Sequence, residues 1–263
     1  MNFGLIIIGD EILSGKRQDK HMARVIELLA ARGQMLAWAR YLGDDPARIT
    51  AALREAFASG DVVFSCGGIG ATPDDHTRQC AAAAAGQALA LHPQARDLIL
   101  ERMRDIAAEQ GQPFDPDRED NRHRLDMGVF PERAELIPNP YNKIPGFSVD
   151  HVHFVPGFPV MAHPMIEWVL DHHYAHLHGQ GRQDERSVIV FGSMEATLTP
   201  LMVELEAAFP DVKVFSLPSV DHPQLGRHIE LGVKGRGDVA QAYARLKEGL
   251  AALGCQLGSE MVR

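Results

Sequence analysis

The sequence predicts an α/β protein with a mostly parallel sheet layered between helices, followed by a second, smaller α/β domain. Three observations predict it. Short apolar runs alternate with helical patterns between residues 3 and 175. A polar stretch containing glycine, GQGRQDE at 179–185, then breaks the pattern. A fresh strand–helix alternation follows it to the end of the chain. The expected boundaries are 1–178 for the first domain, 179–186 for a linker and 187–263 for the small domain.

Residues 3–8 are a short isoleucine-rich run and read as a buried strand. Asp19 can cap a helix with Met22, Ile26 and Leu29 on one face, closed by Arg32 and Gly33. Residues 35–42 read as a second strand. Asp45-Pro46 supplies an N-cap and a first-turn proline for a helix that stops at Gly60. Residues 62–66 read as a third strand, and an alanine-rich helix follows at 80–85. A helix is expected over 93–110, loop with some helix over 113–126, a strand over 152–155 and a helix over 159–174. In the small domain, strands are expected at 187–191, 212–217 and 227–233, with helices at 200–209 and 239–253. Consecutive parallel strands joined through helices imply right-handed crossovers.

Of the 263 residues, 45% are hydrophobic and 23% charged, which excludes a disordered chain. The net charge of -9 and the lack of a long Lys/Arg run argue against a general nucleic-acid surface. Three widely spaced cysteines, Cys66, Cys80 and Cys255, with no CxxC, favour small buried thiols over a zinc site or disulfide framework. The start MNFGLIIIGDE lacks the long apolar core of a signal peptide, and no run approaches a membrane span. A cytoplasmic protein without membrane or nucleic-acid partners is expected.

In open parallel sheets, ligands bind beyond the carboxyl ends of the strands. Here those ends carry Gly9-Asp10-Glu11, Gly43-Asp44-Asp45, the run GGIGATPDD at 67–75, and Pro156-Gly157-Phe158-Pro159. Gly67, Gly68 and Gly70 free the backbone for close approach to an anion. Thr72, Pro73 and Asp75 also read as the capping box of the next helix. The dinucleotide fingerprint fails because its third glycine would fall at Pro73. The P-loop fails because five residues separate Gly9 from Gly15, and Arg17 follows Lys16.

GDEILSG (9–15), GDDP (43–46), SCGGIGATPDDHT (65–77), NPYNKIPGF (139–147) and VPGFPVM (155–161) stand in the order seen in the molybdopterin-binding MoaB/Mog domain family. The chain resembles that family over residues 3–175, in the form that opens CinA-type proteins. FGSMEATL (191–198) resembles the middle domain of those proteins. Departures occur at Ala71, at Asn142-Lys143-Ile144 in place of a small flexible turn, and at 160–162, where a serine and a glutamate are lost. The chain stops where an amidase domain would begin, so no nicotinamide-nucleotide deamidase activity is expected.

The resemblance implies that phosphate or substrate meets Gly67, Gly68, Ile69, Gly70, Thr72, Thr77, Ser14, Pro145, Gly146, Pro156 and Gly157. It implies catalytic roles for Asp45 and Asp75. It implies that Asp10, Glu11, Asp44 and Asp74 face a divalent metal, Mg²⁺ or Co²⁺, because a pyrophosphate beside several carboxylates needs a cation between them. The expected activity is cleavage of a nucleotide pyrophosphate of the ADP-ribose type, releasing a nucleoside monophosphate. The alternatives are a non-catalytic binder of molybdopterin or nucleotide, and a Mog-type molybdopterin adenylyltransferase. A homo-oligomer is expected. The histidines of HHxxHxH at 172–178 read as a solvated helix end. His151 and His153 read as an exposed or interface strand face, and Arg122-His123-Arg124 as either a solvated loop or a local phosphate contact.

Overall fold

The computed structural model describes residues 1–180 and 184–263, apart from the side chains of Asp120 and Asp221. Residues 181–183 of the expected linker lie outside the described residues. The chain forms two compact units, Met1–Gly181 and Arg182–Arg263.

The first unit begins with β1 (Phe3–Ile8), a single turn α1 (Asp10–Leu13), α2 (His21–Ala30), β2 (Leu36–Leu42), α3 (Pro46–Ser59), β3 (Val62–Cys66) and α4 (Thr77–Ala85). It continues through β4 (Leu89–Leu91), α5 (Pro93–Glu109), α6 (Glu119–Asp126), β5 (Val129–Pro131), β6 (Glu135–Ile137), β7 (Gly146–Val149), β8 (Val152–Val155) and α7 (Pro159–His172). The main sheet runs β2-β1-β3-β8-β7-β6. Strands β2, β1, β3 and β8 are parallel, while β7 and β6 add antiparallel to the far edge. β4 and β5 pair separately.

β1 is buried along its whole length because both faces of the sheet are covered. Successive strand residues point to opposite faces. Leu5 and Ile7 therefore meet Val25, Leu29, Met165 and Val169 of α2 and α7. Ile6 and Ile8 meet Ile49, Leu53 and Ala81 of α3 and α4. Each such aliphatic side chain contributes about 1.5–3 kcal/mol by leaving water.

The face of α2 differs from the expected one. His21, Val25, Leu28 and Leu29 are buried, whereas Met22 and Ile26 remain 37% and 44% exposed. The true stripe starts one residue earlier, on a histidine, so apolar periodicity alone misses it. Asp19 does bind the helix start, accepting from the amides of His21 at 2.7 Å and Met22 at 3.1 Å.

His153, expected on an exposed or interface strand face, is instead buried within the unit at 1% exposed. Its Nδ1 lies 2.8 Å from Ser148 Oγ and its Nε2 2.8 Å from Tyr174 Oη. Burial, helped by the nearby His173 and His151, lowers its pKa to about 3. The ring is therefore neutral.

The second unit is β9 (Asp184–Phe191), α8 (Glu195–Ala208), β10 (Val212–His222), β11 (Gly226–Gly235), α9 (Val239–Ala252) and β12 (Gln256–Val262). β9 starts inside the expected linker. The sheet order β10-β11-β9-β12 is antiparallel throughout, a split β-α-β arrangement. Val188, Val190, Leu231 and Val233 pack against Leu198, Leu201, Leu246 and Leu250. β12 had no sequence signal: its residues are mostly exposed, and its pairing with β9 is interrupted between Leu257 and Glu260. Among the described residues, no helix is long and apolar enough to cross a membrane.

Candidate functional site

β1 sits between β2, which follows it, and β3, which lies on its other side. That reversal is a topological switch point, where the loops leaving β1 and β3 diverge and open a crevice. A cavity of about 450 Å³ occupies this place. Its lining includes Glu11, Arg17, Asp44, Asp74, Asp75, Asn142, Pro145, Pro156, Gly157 and Phe158, with the loop from Gly67 to Thr72.

The glycines of that loop are fixed by packing as well as by conformation. Gly67 and Gly68 have φ of 107° and 69°. A Cβ on Gly67 would fall 2.3 Å from the Ile8 carbonyl, one on Gly68 2.1 Å from Thr77 Oγ1, and one on Gly70 2.6 Å from Asp75 Oδ2. The loop thus lies hard against β1 below and α4 behind.

Thr72 and Asp75 close a turn instead of starting α4, which begins at Thr77. Asp75 Oδ2 accepts from the Thr72 amide at 2.9 Å and its hydroxyl at 2.6 Å. The capping-box contact therefore forms, but the chain turns away before the helix begins. The Thr77 amide donates to Gly68 O at 2.9 Å, and the Thr77 hydroxyl to Gly67 O at 3.1 Å. Thr77 is wholly buried and anchors the loop from behind.

The carboxylates converge in part. Glu11, Asp44, Asp74 and Asp75 line the cavity. Asp10 instead binds the Asp44 amide, and Asp44 binds that of Asp10, at 3.2 and 2.9 Å. Desolvation raises the Asp44 pKa most, and the charges of Asp10, Glu11 and Asp74 raise it further. Asp45 caps α3, accepting from the Arg48 amide at 2.8 Å, and does not line the cavity. Ser14 sits exposed at the end of α1, and Gly146 is buried where β7 starts. Among the described residues, no three His, Cys, Asp or Glu side chains form a metal cage. The donors fit a hard cation held by one or two carboxylates and completed by phosphate and water, as Mg²⁺ prefers.

Sequence reasoning missed Arg17. It is the one cation lining the cavity among the described residues, 5.9 Å over the Phe158 ring. It also missed the stiffness of 139–144. Asn142 Oδ1 accepts from Asn139 Nδ2 and the Ile144 amide at 2.8 and 3.1 Å. Lys143, with φ of 66°, reaches Glu101 and Asp105 at 2.7 and 2.6 Å. In the HHxxHxH segment, His172 stacks on Trp168 and bonds its carbonyl at 2.8 Å, and among the described residues these histidines form no metal-holding group.

Residues 4–176 match the family described as a probable molybdopterin binding domain. A CinA-like protein of Syntrophotalea carbinolica is 31% identical over 220 residues, 80% of this chain and 51% of its own length. One of Geobacter metallireducens is 31% identical over 267 residues, 100% of this chain and 61% of its own. The chain thus spans between half and three fifths of the length of these curated relatives. Among solved structures, the protein CinA of Thermoplasma acidophilum, described as of unknown function, has a TM-score of 0.53 and 28% identity, covering 65% of this chain and 96% of its own. Matched over most of its length, with the motif loops gathered at one switch point, the chain belongs to the molybdopterin-binding domain family and is CinA-like.

Proposed function

We propose that the switch-point cavity binds a nucleotide pyrophosphate of the ADP-ribose type and hydrolyses it to a nucleoside monophosphate and a sugar phosphate. One observation carries this reading. Among the described residues, the amides of Gly68, Ile69, Gly70 and Ala71 have no protein acceptor, and their residues line the same cavity as Glu11 and Asp44. Open amides suit phosphate oxygens. Crowded carboxylates suit a cation and a proton acceptor.

The loop amides bind one phosphoryl group, and Arg17 offsets charge at the cavity mouth. Asp44, whose raised pKa makes it a better base than an ordinary aspartate, accepts the proton of the attacking water. Water adds across the P–O–P bond, and the two phosphates leave with one more oxygen and two more hydrogens between them. Glu11 and Asp74 would hold the divalent ion, whose chemistry is to neutralise the pyrophosphate and polarise its bridging bond.

A binding-only role is favoured by one feature: Asp45, expected to be catalytic, is engaged as a helix cap. Incubation with ADP-ribose, and separately with molybdopterin plus ATP, in Mg²⁺ or Co²⁺ separates the readings. AMP from ADP-ribose supports hydrolysis. Tight binding without turnover supports a binder. Pyrophosphate with adenylylated pterin supports an adenylyltransferase.

A further inference from the structure

Arg78 is the second residue of α4 and is 5% exposed. Burial lowers its pKa most, while the charges of Asp75 and Asp126 oppose that shift. Its Nη1 donates to two consecutive carbonyls of the glycine loop, Ile69 O at 2.5 Å and Gly70 O at 2.6 Å. Thr77 holds the two preceding carbonyls, those of Gly67 and Gly68. Four consecutive carbonyls are therefore pinned by the first two residues of one helix.

In a trans peptide the C=O and N–H point in opposite directions, and the described chain has no cis bond. Pinning the carbonyls of residues 67–70 toward α4 turns the amides of residues 68–71 the other way, on the cavity side. These are the same loop amides, 68–71, that have no protein acceptor among the described residues.

We propose that Arg78 is a positioning residue that aims the Gly70 and Ala71 amides into the cavity and places a buried positive charge behind them, completing a four-amide cradle for a phosphoryl oxyanion. This rests on reading the cavity as an anion site. It also explains how an acid-rich loop can hold an anion: the guanidinium offsets Asp75 from within.

The experiment is amide NMR of the full chain titrated with inorganic pyrophosphate. Arg78→Met should weaken binding on the order of tenfold or more, since a lost charge-assisted bond is worth a power of ten or better. It should abolish the titration shifts of Gly70 and Ala71 while those of Gly68 and Ile69 persist. Arg78→Lys should stay within about threefold, because a single donor nitrogen does the bridging and lysine also offers one. A folded Arg78→Met with unchanged affinity and unchanged Gly70 and Ala71 resonances overturns the proposal. If Arg78→Met does not melt cooperatively, Arg78→Gln, which keeps one NH₂ donor and loses the charge, must show the same affinity loss. If the native protein binds no pyrophosphate, the anion-site reading falls. The positioning role is then decided by whether Arg78→Gln selectively moves the ligand-free Gly70 and Ala71 resonances.

Discussion

Asp10 and Asp44 each accept a hydrogen bond from the other's backbone amide, at 3.2 and 2.9 Å respectively. The exchange ties the end of β1 to the end of β2 and holds two negative charges close together. An acid whose pKa is raised on folding costs stability once the pH exceeds its unfolded value, because the unfolded chain ionises first. For Asp44 that cost appears as pH rises past 3.8. Asp44→Asn should therefore melt higher than the native protein at neutral pH without added cation, while losing at least tenfold in turnover of ADP-ribose. Mg²⁺ should raise the melting temperature of the native protein more than that of the variant.

The Ser148–His153–Tyr174 chain gives the opposite pH dependence. A buried neutral histidine lets the unfolded state take up the proton first, so stability falls as pH drops below 6.5 toward about 3. The slope contributed is at most about 1.4 kcal/mol per pH unit. His153→Gln should lower stability by about 1–3 kcal/mol at neutral pH and flatten this acid limb in denaturant melts.

Gly68 and Gly60 share a left-handed conformation, with φ of 69° and 70°, but only Gly68 has a neighbour where a Cβ would go. Gly60→Ala should cost about 1 kcal/mol and spare activity. Gly68→Ala must also displace Thr77, so it should cost about 2–4 kcal/mol and abolish pyrophosphate binding.

Arg17→Gln removes the cavity's cation while leaving the fold untouched, since the side chain is exposed. Substrate affinity should fall about three- to tenfold at low salt, and the difference should shrink at 0.5 M salt, roughly where screening reaches contact range. Steady-state KM at two ionic strengths checks it.

Much of the first unit was legible because its strands are buried on both faces and so read as unbroken apolar runs, as in Ile6–Ile7–Ile8. Asp45-Pro46 announced α3 through a purely local bond. The misses share a different cause. Thr72 and Asp75 make the local contact that their spacing predicts, but where α4 begins depends on Thr77 reaching Gly68, a partner outside the turn. The buried face of α2 begins on His21, whose burial depends on the Gly157 carbonyl 3.0 Å away. Arg78 carries no local signal, because its bonds to the Ile69 and Gly70 carbonyls form only once the loop has folded back over α4. The same holds for Arg17, which becomes a site residue only through the crevice between β1 and β3.

The glycine loop is wedged by its own chain between the Ile8 carbonyl, Thr77 and Asp75. Packing of this kind fixes the loop's conformation, and its entropy is lost, as the chain folds. On the proposed anion-site reading, association would carry little ordering penalty, and encounter should be governed by diffusion and by the charge at the mouth of the crevice.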